Sequence, residues 1–450
     1  MVTFLSPIAM NRPTLRPCYE RTGTVAGWRR WLNFRVWTGA RFGNMPAMSR
    51  YTSFAAALLS LSMVLVGCKT APTPAPVVAP EPVLPPAPVA PLATHLFKIG
   101  DDDKVIGEIQ ITRATQEDTL SDIARRFNLG YEELVRANPG VDPWIPGEGR
   151  EIVLPTQFVL PDAPREGLVV NLAALRVFYF PKRQPGEVQT VMTHPIGIGK
   201  VGWTTPEGAT KVTSKRKDPT WTPPASVRKE HAERGDPLPR VVPAGPDNPL
   251  GAFAMNLGWP GYLIHGTNKP YGVGMRSSHG CLRFYPEDIA ILFKEMAIGT
   301  KVQVVNQRLT YGWHDGKLYV QVMPPAEEEL AGQKKPDAAN EILSAAMAQQ
   351  ILQLAQQHDV TVDIEQVKQL AQQQTGITAP VSTAQTQTGY LAQARRVENR
   401  VPQGATWNGN KELLVTAEEF EAMRDGVILP KKTVTKPAAG SKPAVKKTAT

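Results

Sequence analysis

The chain has 450 residues, 42% hydrophobic and 20% charged, with 42 Pro, 36 Gly and 3 Cys. That length leaves room for two or three domains and a sizeable core, and so few cysteines exclude a disulfide-stapled scaffold or a Cys-rich zinc or iron–sulfur site. The formal charge of +9 divides into +7 over residues 1–50 and +6 over residues 431–450, so the body between them is net −4; a nucleic-acid enzyme would concentrate basic charge on its folded part, and nucleic acid is not an expected partner.

From Met48 the sequence reads MSRYTSFAAALLSLSMVLVGCKT. Arg50 supplies a basic start, Phe54 to Val66 an apolar run, and Leu65-Val66-Gly67-Cys68 a small-residue close. A run this short, flanked this way, reads as a secretory signal and not as a spanning helix. Leu-Val-Gly-Cys resembles the lipobox of bacterial lipoproteins, which implies cleavage before Cys68 and acylation of its thiol. Acyl chains hold a protein on a membrane because each buried methylene contributes ~0.8 kcal/mol. Lys69, by the same resemblance, favours the outer membrane. Residues 48–67 are therefore the expected signal peptide, and residues 1–47 an expected mis-annotated extension, with translation starting at Met48 or Met45.

Residues 68–94 are Pro/Ala/Val-rich and read as a tether, extended at ~3.1 Å per residue where it adopts polyproline II. Residues 95–160 read as a compact unit. Leu120, Ile123, Ala124 and Phe127 fall at i, i+3, i+4 and i+7 behind Asp118-Thr119, which predicts a capped amphipathic helix ending near Gly130. A second short helix starts at Tyr131 and stops at Asn138-Pro139-Gly140, and 151–155 reads as a strand. The string DTLSDIARRFNLGYEELVRANPGVDPWIPGEGREIVLP resembles a LysM domain, a βααβ module that binds N-acetylglucosamine chains. The resemblance places Asp118-Thr119-Leu120 and Asn138-Pro139 at the edges of a sugar groove.

Over 166–308, runs of Val, Ile, Tyr and Phe alternate with Gly/Pro turns, predicting strands near 168–171, 175–180, 189–195, 209–214, 262–265 and 301–305. That pattern argues a mainly β, sandwich-like domain. One helix interrupts it: Pro286 sits in its first turn with Glu287 and Asp288, Ile289, Leu292, Phe293 and Met296 form its apolar stripe, and Gly299 ends it. Residues 309–329 read as an accessory hairpin turning at Asp315-Gly316. Residues 330–430 read as a helical, partly disordered C-terminal extension, with Asp363 and Gln366 as a capping box and 376–412 expected to be loose. Residues 431–450 form a Lys-rich tail, disordered on composition.

Reactive residue types converge on Ile264-His265-Gly266-Thr267-Asn268 and Ser277-Ser278-His279-Gly280-Cys281-Leu282-Arg283. A lone Cys is usually a small buried hydrophobe. Here two histidines precede it within sixteen residues, Gly280 adjoins it and Arg283 follows. Such a setting suits a nucleophilic thiol, since a thiolate needs a nearby imidazole, cation or backbone N–H groups. Gly280 lets backbone N–H groups converge on an oxyanion. The expected resting state is a thiolate beside an imidazole. A zinc site of His265, His279 and Cys281 uses metal-ligand residue types but lacks a fourth spaced ligand and sets Arg283 beside the metal. Trp203, Trp221 and Trp259 either pack the domain or rim a cleft, and the remaining histidines read as surface or structural groups.

HGTNKPYGVGMRSSHGCLRF resembles the signature of the L,D-transpeptidase (YkuD-type) catalytic domain, in the branch that joins LysM modules to ErfK-like enzymes of Gram-negative bacteria. The resemblance covers roughly 95–325. It implies Cys281 as nucleophile and His265 as general base, with His279 and Gly280 shaping the oxyanion site. Arg283, Gly266 and Ser278 are the implied substrate-binding positions, with the Gly266 carbonyl orienting His265. It further implies acyl transfer from a peptidoglycan tetrapeptide stem with release of D-Ala. The acceptor would be a second diaminopimelate, giving a 3–3 cross-link, or a lipoprotein lysine. No metal or organic cofactor is called for. The implied partners are glycan strands, stem peptides, a lipoprotein acceptor and the membrane through Cys68, and the implied location is the periplasm. A hydrolase of the same bond and a non-catalytic wall tether are the alternative readings.

Overall fold

The computed structural model describes residues 87–92, 95–325 and 342–402, which all fall within one compact unit. The expected N-terminal extension, signal peptide and Cys68, most of the tether, residues 326–341 and the Lys-rich tail lie outside the described residues. Among the described residues, no helix is long and apolar enough to cross a membrane.

The chain enters through β1 (Leu96–Ile99), β2 (Val105–Gly107) and β3 (Gln110–Arg113). Helix α1 (Leu120–Arg126) starts at Thr119, whose hydroxyl accepts the Asp122 N–H while the Asp122 carboxylate returns to the Thr119 N–H, a reciprocal capping box. Its predicted stripe of Leu120, Ile123 and Ala124, with Phe127 just beyond its end, is buried. Helix α2 (Tyr131–Ala137) stops at Asn138, and β4 (Glu151–Leu154) pairs antiparallel with β3. The Asn138 amide donates to Leu134 O and Val153 O and accepts from the Val153 N–H, each at 2.8 Å. Its polar atoms are thus spent fastening α2 to β4. Strand β5 (Gln157–Val159) pairs with β2.

The larger body follows as β6 (Gly167–Asn171), β7 (Arg176–Phe180), β8 (Gln189–Pro195), β9 (Ile198–Gly199), β10 (Gly208–Lys217), α3 (Ala225–Glu233), β11 (Phe253–Leu257), β12 (Leu263–His265), β13 (Arg276–Ser278), β14 (Leu282–Arg283), α4 (Pro286–Glu295) and β15 (Lys301–Val305). Nine strands form one curled sheet in the order β1-β8-β7-β6-β15-β10-β11-β12-β14, mixed in direction because β6/β15 and β12/β14 run parallel. One face of this sheet carries Leu168, Val170, Val177, Met255, Ile264, Leu282 and Val304, packed against Ile289, Leu292 and Met296 on and beside α4.

The other face explains a departure from the expected alternation. Every residue of β6 and β7 is buried. Val169, Phe178 and Phe180 point away from the first core and pack with Leu120, Ile123, Phe127 and Leu134 of the βααβ unit. A strand covered on both faces has no polar side to show. β1 also joins the large sheet, through β8, although the sequence reading placed it with the smaller unit.

The chain ends with β16 (Leu309–His314), β17 (Lys317–Val322), α5 (Ala345–Gln357), α6 (Ile364–Gln373), β18 (Ala379–Pro380), α7 (Gln387–Ala392) and β19 (Arg395–Arg396). The β16–β17 hairpin turns at Asp315-Gly316, both at positive φ as a type I′ turn requires. Leu318, Val320, Ile351, Val367 and Leu370 give this part its own core. Much of the 376–412 stretch expected to be loose is held by partners distant in sequence: β18 pairs with β17, β19 runs parallel to β3, and Val89, in the expected tether, bridges to Val397.

Candidate active site

β12 and β14 lie side by side and parallel, with Ile264 opposite Leu282 and His265 opposite Arg283. This register sets His265 at the end of one strand and Cys281 immediately before the start of its neighbour. In this parallel register Cys281 falls level with Leu263, two positions from His265 along the neighbouring strand.

The loop that delivers Cys281 is fastened from inside. The Ser278 hydroxyl accepts the Gly280 N–H at 3.1 Å and donates to Cys281 O at 2.7 Å. Thr205 donates to Gly280 O at 2.9 Å, and the Lys200 N–H donates to Ser278 O at 2.9 Å. Gly280 has φ +100°, and a Cβ there would lie 2.9 Å from the Tyr262 ring, so both conformation and space demand glycine. Ser278 is 3% exposed, and its hydroxyl hydrogen and one of its lone pairs are spent within the loop.

His265 is 5% exposed, and its Nδ1 stands 2.6 Å from Gly266 O. A carbonyl only accepts, so Nδ1 carries the hydrogen and Nε2 keeps its lone pair. Burial drives the His265 pKa down to about 3, the charge of Arg283 adds to the effect, and the Gly266 bond opposes it. The half-buried Cys281 thiol is pushed up, chiefly by burial, while a Leu263 backbone hydrogen bond and the Arg283 charge pull it back in part. At neutral pH the resting pair is therefore thiol and neutral imidazole. These shifts run against the expected pre-formed thiolate, because a desolvated site disfavours both charged forms.

Arg283 lies along Gly272, where a Cβ would come within 2.7 Å of its Nη1. Its Nη1 donates to the Ser277 hydroxyl at 3.1 Å, while its buried Nε has no partner. Among the described residues no carboxylate pairs with it, which leaves a half-buried cation whose charge reaches the thiol.

His279 turns to a different partner. Its Nε2 stands 3.1 Å from Glu230 Oε2, and its ring meets Trp203 edge-on at 4.8 Å. Glu230 also pairs with Lys200 and with Arg234 at 2.9 Å. Burial and the Lys200 charge lower the His279 pKa to about 4 against the opposing pull of Glu230. Glu230 sits on α3, a helix whose sequence ASVRKEHAE buries only Val227 and offers no apolar stripe by which to anticipate it. Trp259 packs on the core and on Tyr262, and Trp221 bridges by backbone to Val242. Of the other histidines, His194 is fully buried and pairs with Asp288 at 2.9 Å, and His358 stacks on Trp313. Among the described residues, no three His, Cys, Asp or Glu side chains group to hold a metal ion.

Comparison with known proteins bears on what this edge does. The L,D-transpeptidase catalytic domain (YkuD) matches residues 165–304, and the LysM domain matches residues 113–155. The probable L,D-transpeptidase YcfS of Escherichia coli (strain K12) is 45% identical over 217 residues, 47% of this chain and 67% of that protein. The probable L,D-transpeptidase YbiS of the same strain is 40% identical over 52% of this chain and 77% of that protein. A solved structure of the Ldtfm-avibactam carbamoyl enzyme is 25% identical over 34% of this chain and 55% of that one, at a TM-score of 0.24. A LysM domain and a transpeptidase domain in one chain imply peptidoglycan as the bound polymer and an extracytoplasmic place of action. The chain belongs to the L,D-transpeptidase family and is an L,D-transpeptidase enzyme with a LysM domain ahead of its catalytic domain.

Proposed function

We propose that Cys281 takes the acyl group from a peptidoglycan tetrapeptide stem and passes it to an amine. The observation that carries this reading is the β12–β14 register together with the His265–Gly266 bond. They support it by putting the thiol two positions along the neighbouring strand from an imidazole whose Nε2 keeps its lone pair. In the first step His265 Nε2 accepts the thiol proton as Sγ attacks the carbonyl carbon of the diaminopimelate residue. The oxyanion is met by the Cys281 N–H with His279 shaping its site, because the Gly280 N–H is already given to Ser278. The C–N bond then breaks, His265 returns the proton to the leaving D-Ala amine, and a thioester remains. An acceptor amine attacks that thioester, His265 removes its extra proton, and the thiol is restored.

Arg283, a half-buried cation that pairs with no carboxylate among the described residues, binds a stem carboxylate in this reading. Gly266 acts through its carbonyl on His265, and Ser278 holds the loop. The acceptor is a second diaminopimelate or a lipoprotein lysine. The LysM domain keeps glycan beside the site, and acylated Cys68 keeps the chain on the outer membrane.

The test is incubation of residues 69–450 with disaccharide-tetrapeptide, read by mass spectrometry. Cross-linked dimer supports transfer. Tripeptide alone supports hydrolysis, and unchanged substrate supports a wall tether.

A further inference from the structure

We propose that the LysM domain is a working part of the transfer centre, fixing the two chain segments that flank Cys281, and not only a glycan tether. The inference rests on the reading of Cys281 as nucleophile. The segment before Cys281 runs through Val273, Gly274 and Met275 into β13. The N–H groups of Tyr131 and Glu132, in the first turn of α2, donate to Val273 O at 3.3 Å and to Gly274 O at 3.2 Å. Met275 is buried against Tyr131, and its carbonyl accepts the Ile198 N–H at 3.0 Å, which leads directly into the β13–β9 pairing.

The backbones meet with no side chain between them. A Cβ on Gly130 would lie 2.7 Å from Gly274 Cα, and a Cβ on Gly274 would lie 2.2 Å from Gly130 Cα. The segment after Cys281 is held as well. Arg125 on α1 makes a two-point bond to Glu287 in the first turn of α4, at 2.8 Å for both contacts, and the Tyr285 hydroxyl donates to Leu129 O at 3.0 Å. Glu133 locks this arrangement to the sheet: its carboxylate accepts the Gly130 N–H and both the Nε and Nη2 of the buried Arg176 on β7. Six residues lie between Gly274 and Cys281, and on each side of the thiol the chain has a fixed point on LysM atoms.

Gly130→Ala is the discriminating variant. Gly130 has φ −84°, which alanine adopts freely, so the LysM backbone accepts it while the new methyl pushes on Gly274. The probe is meropenem, which carries no glycan and by family resemblance acylates the thiol. Its rate of addition to Cys281 is followed in the whole chain by mass spectrometry. Sub-ångström to 1 Å misplacement near reacting atoms costs up to about a hundredfold, so the acylation rate constant is expected to fall about tenfold or more. The half-saturating meropenem concentration and chitohexaose binding are expected to stay within about twofold of the parent.

An acylation rate equal to the parent's overturns the proposal. Should the variant lose chitohexaose binding as well, the decision passes to Arg125→Glu and to the swapped pair Arg125→Glu with Glu287→Arg. Recovery of the rate in the swapped pair supports the proposal, and no loss in the single variant or no recovery in the pair overturns it. A parent chain that takes no meropenem on Cys281 sinks the nucleophile reading itself, whereas a fully reactive Gly130→Ala chain sinks this inference alone.

Discussion

His265 gives its Nδ1 hydrogen to the carbonyl oxygen of Gly266, its own neighbour in the chain, at 2.6 Å. Cysteine and serine enzymes that place Asp or Asn at this position use a side chain to hold the imidazole. A backbone carbonyl fixes the same tautomer without adding charge, and its hydrogen bond raises the basicity of His265 too little to offset burial and the nearby Arg283 cation. Both groups rest neutral, and in the proposed reaction the proton moves as the substrate carbonyl is attacked.

The reactivity of the thiol toward iodoacetamide should therefore rise with pH and reach half its maximum above the ordinary thiol value of about 8.5. Loss of ionised thiol as pH falls gives the acid side of that curve. A reactive plateau extending down to pH 5 would show a thiolate–imidazolium pair and contradict the neutral one.

Folding stability should fall in acid for the same reason. The unfolded chain protonates His265 near pH 6.5, and the folded chain only near about 3. Between those values the unfolded state binds more protons, so stability is intact above pH 6.5 and is lost as pH drops toward 3. At ~1.4 kcal/mol per pH unit the loss from this residue is on the order of a few kcal/mol at the lower end. Urea denaturation at pH 7 and pH 4 checks it, and His265→Asn should shrink the difference between the two.

Glu230 should matter to the reaction although it lies 51 positions before Cys281 in sequence. Glu230→Ala frees His279 and strips Lys200 of its carboxylate. Losing one such hydrogen bond is worth about 0.5–1.5 kcal/mol, or roughly a two- to twelvefold fall in kcat/KM. Steady-state kinetics on disaccharide-tetrapeptide would show it, and Glu230→Gln, which keeps an acceptor, should recover part of the rate.

The Arg176–Glu133 pair joins the two domains where both side chains are almost wholly buried. Removing one partner leaves an uncompensated charge, and Glu133→Ala should cost about 3–5 kcal/mol in chemical denaturation. Replacing both, with Arg176→Met and Glu133→Leu, should restore most of that loss, since the buried charges go together. A double variant as unstable as the single one would show that the polar contacts to Asn128, Thr193 and Gly130 carry the stability instead.

The parts of the fold and site that can be read from the sequence are those whose partners are close in the chain. Thr119 and Asp122 cap α1 from three residues apart, Asp315-Gly316 closes a two-residue hairpin, and the 277–283 loop contains its own fasteners in Ser278 and Gly280. Glu230 was not legible, because α3 is polar all round and touches the site only through folding. The outer face of β6 and β7 was not legible either. Val169, Phe178 and Phe180 read as one more apolar run until the LysM helices are seen to cover them. The short strands β18 and β19 carry no periodic pattern of their own and exist through pairing with β17 and β3.

The most direct measurement is to quench the enzyme during turnover of disaccharide-tetrapeptide and map the acylated peptide by mass spectrometry. A thioester of the shortened stem is expected on the peptide containing Cys281, absent from Cys281→Ala, which also stops releasing D-Ala. Continued D-Ala release by Cys281→Ala, or an acyl group found on any other residue, would contradict it.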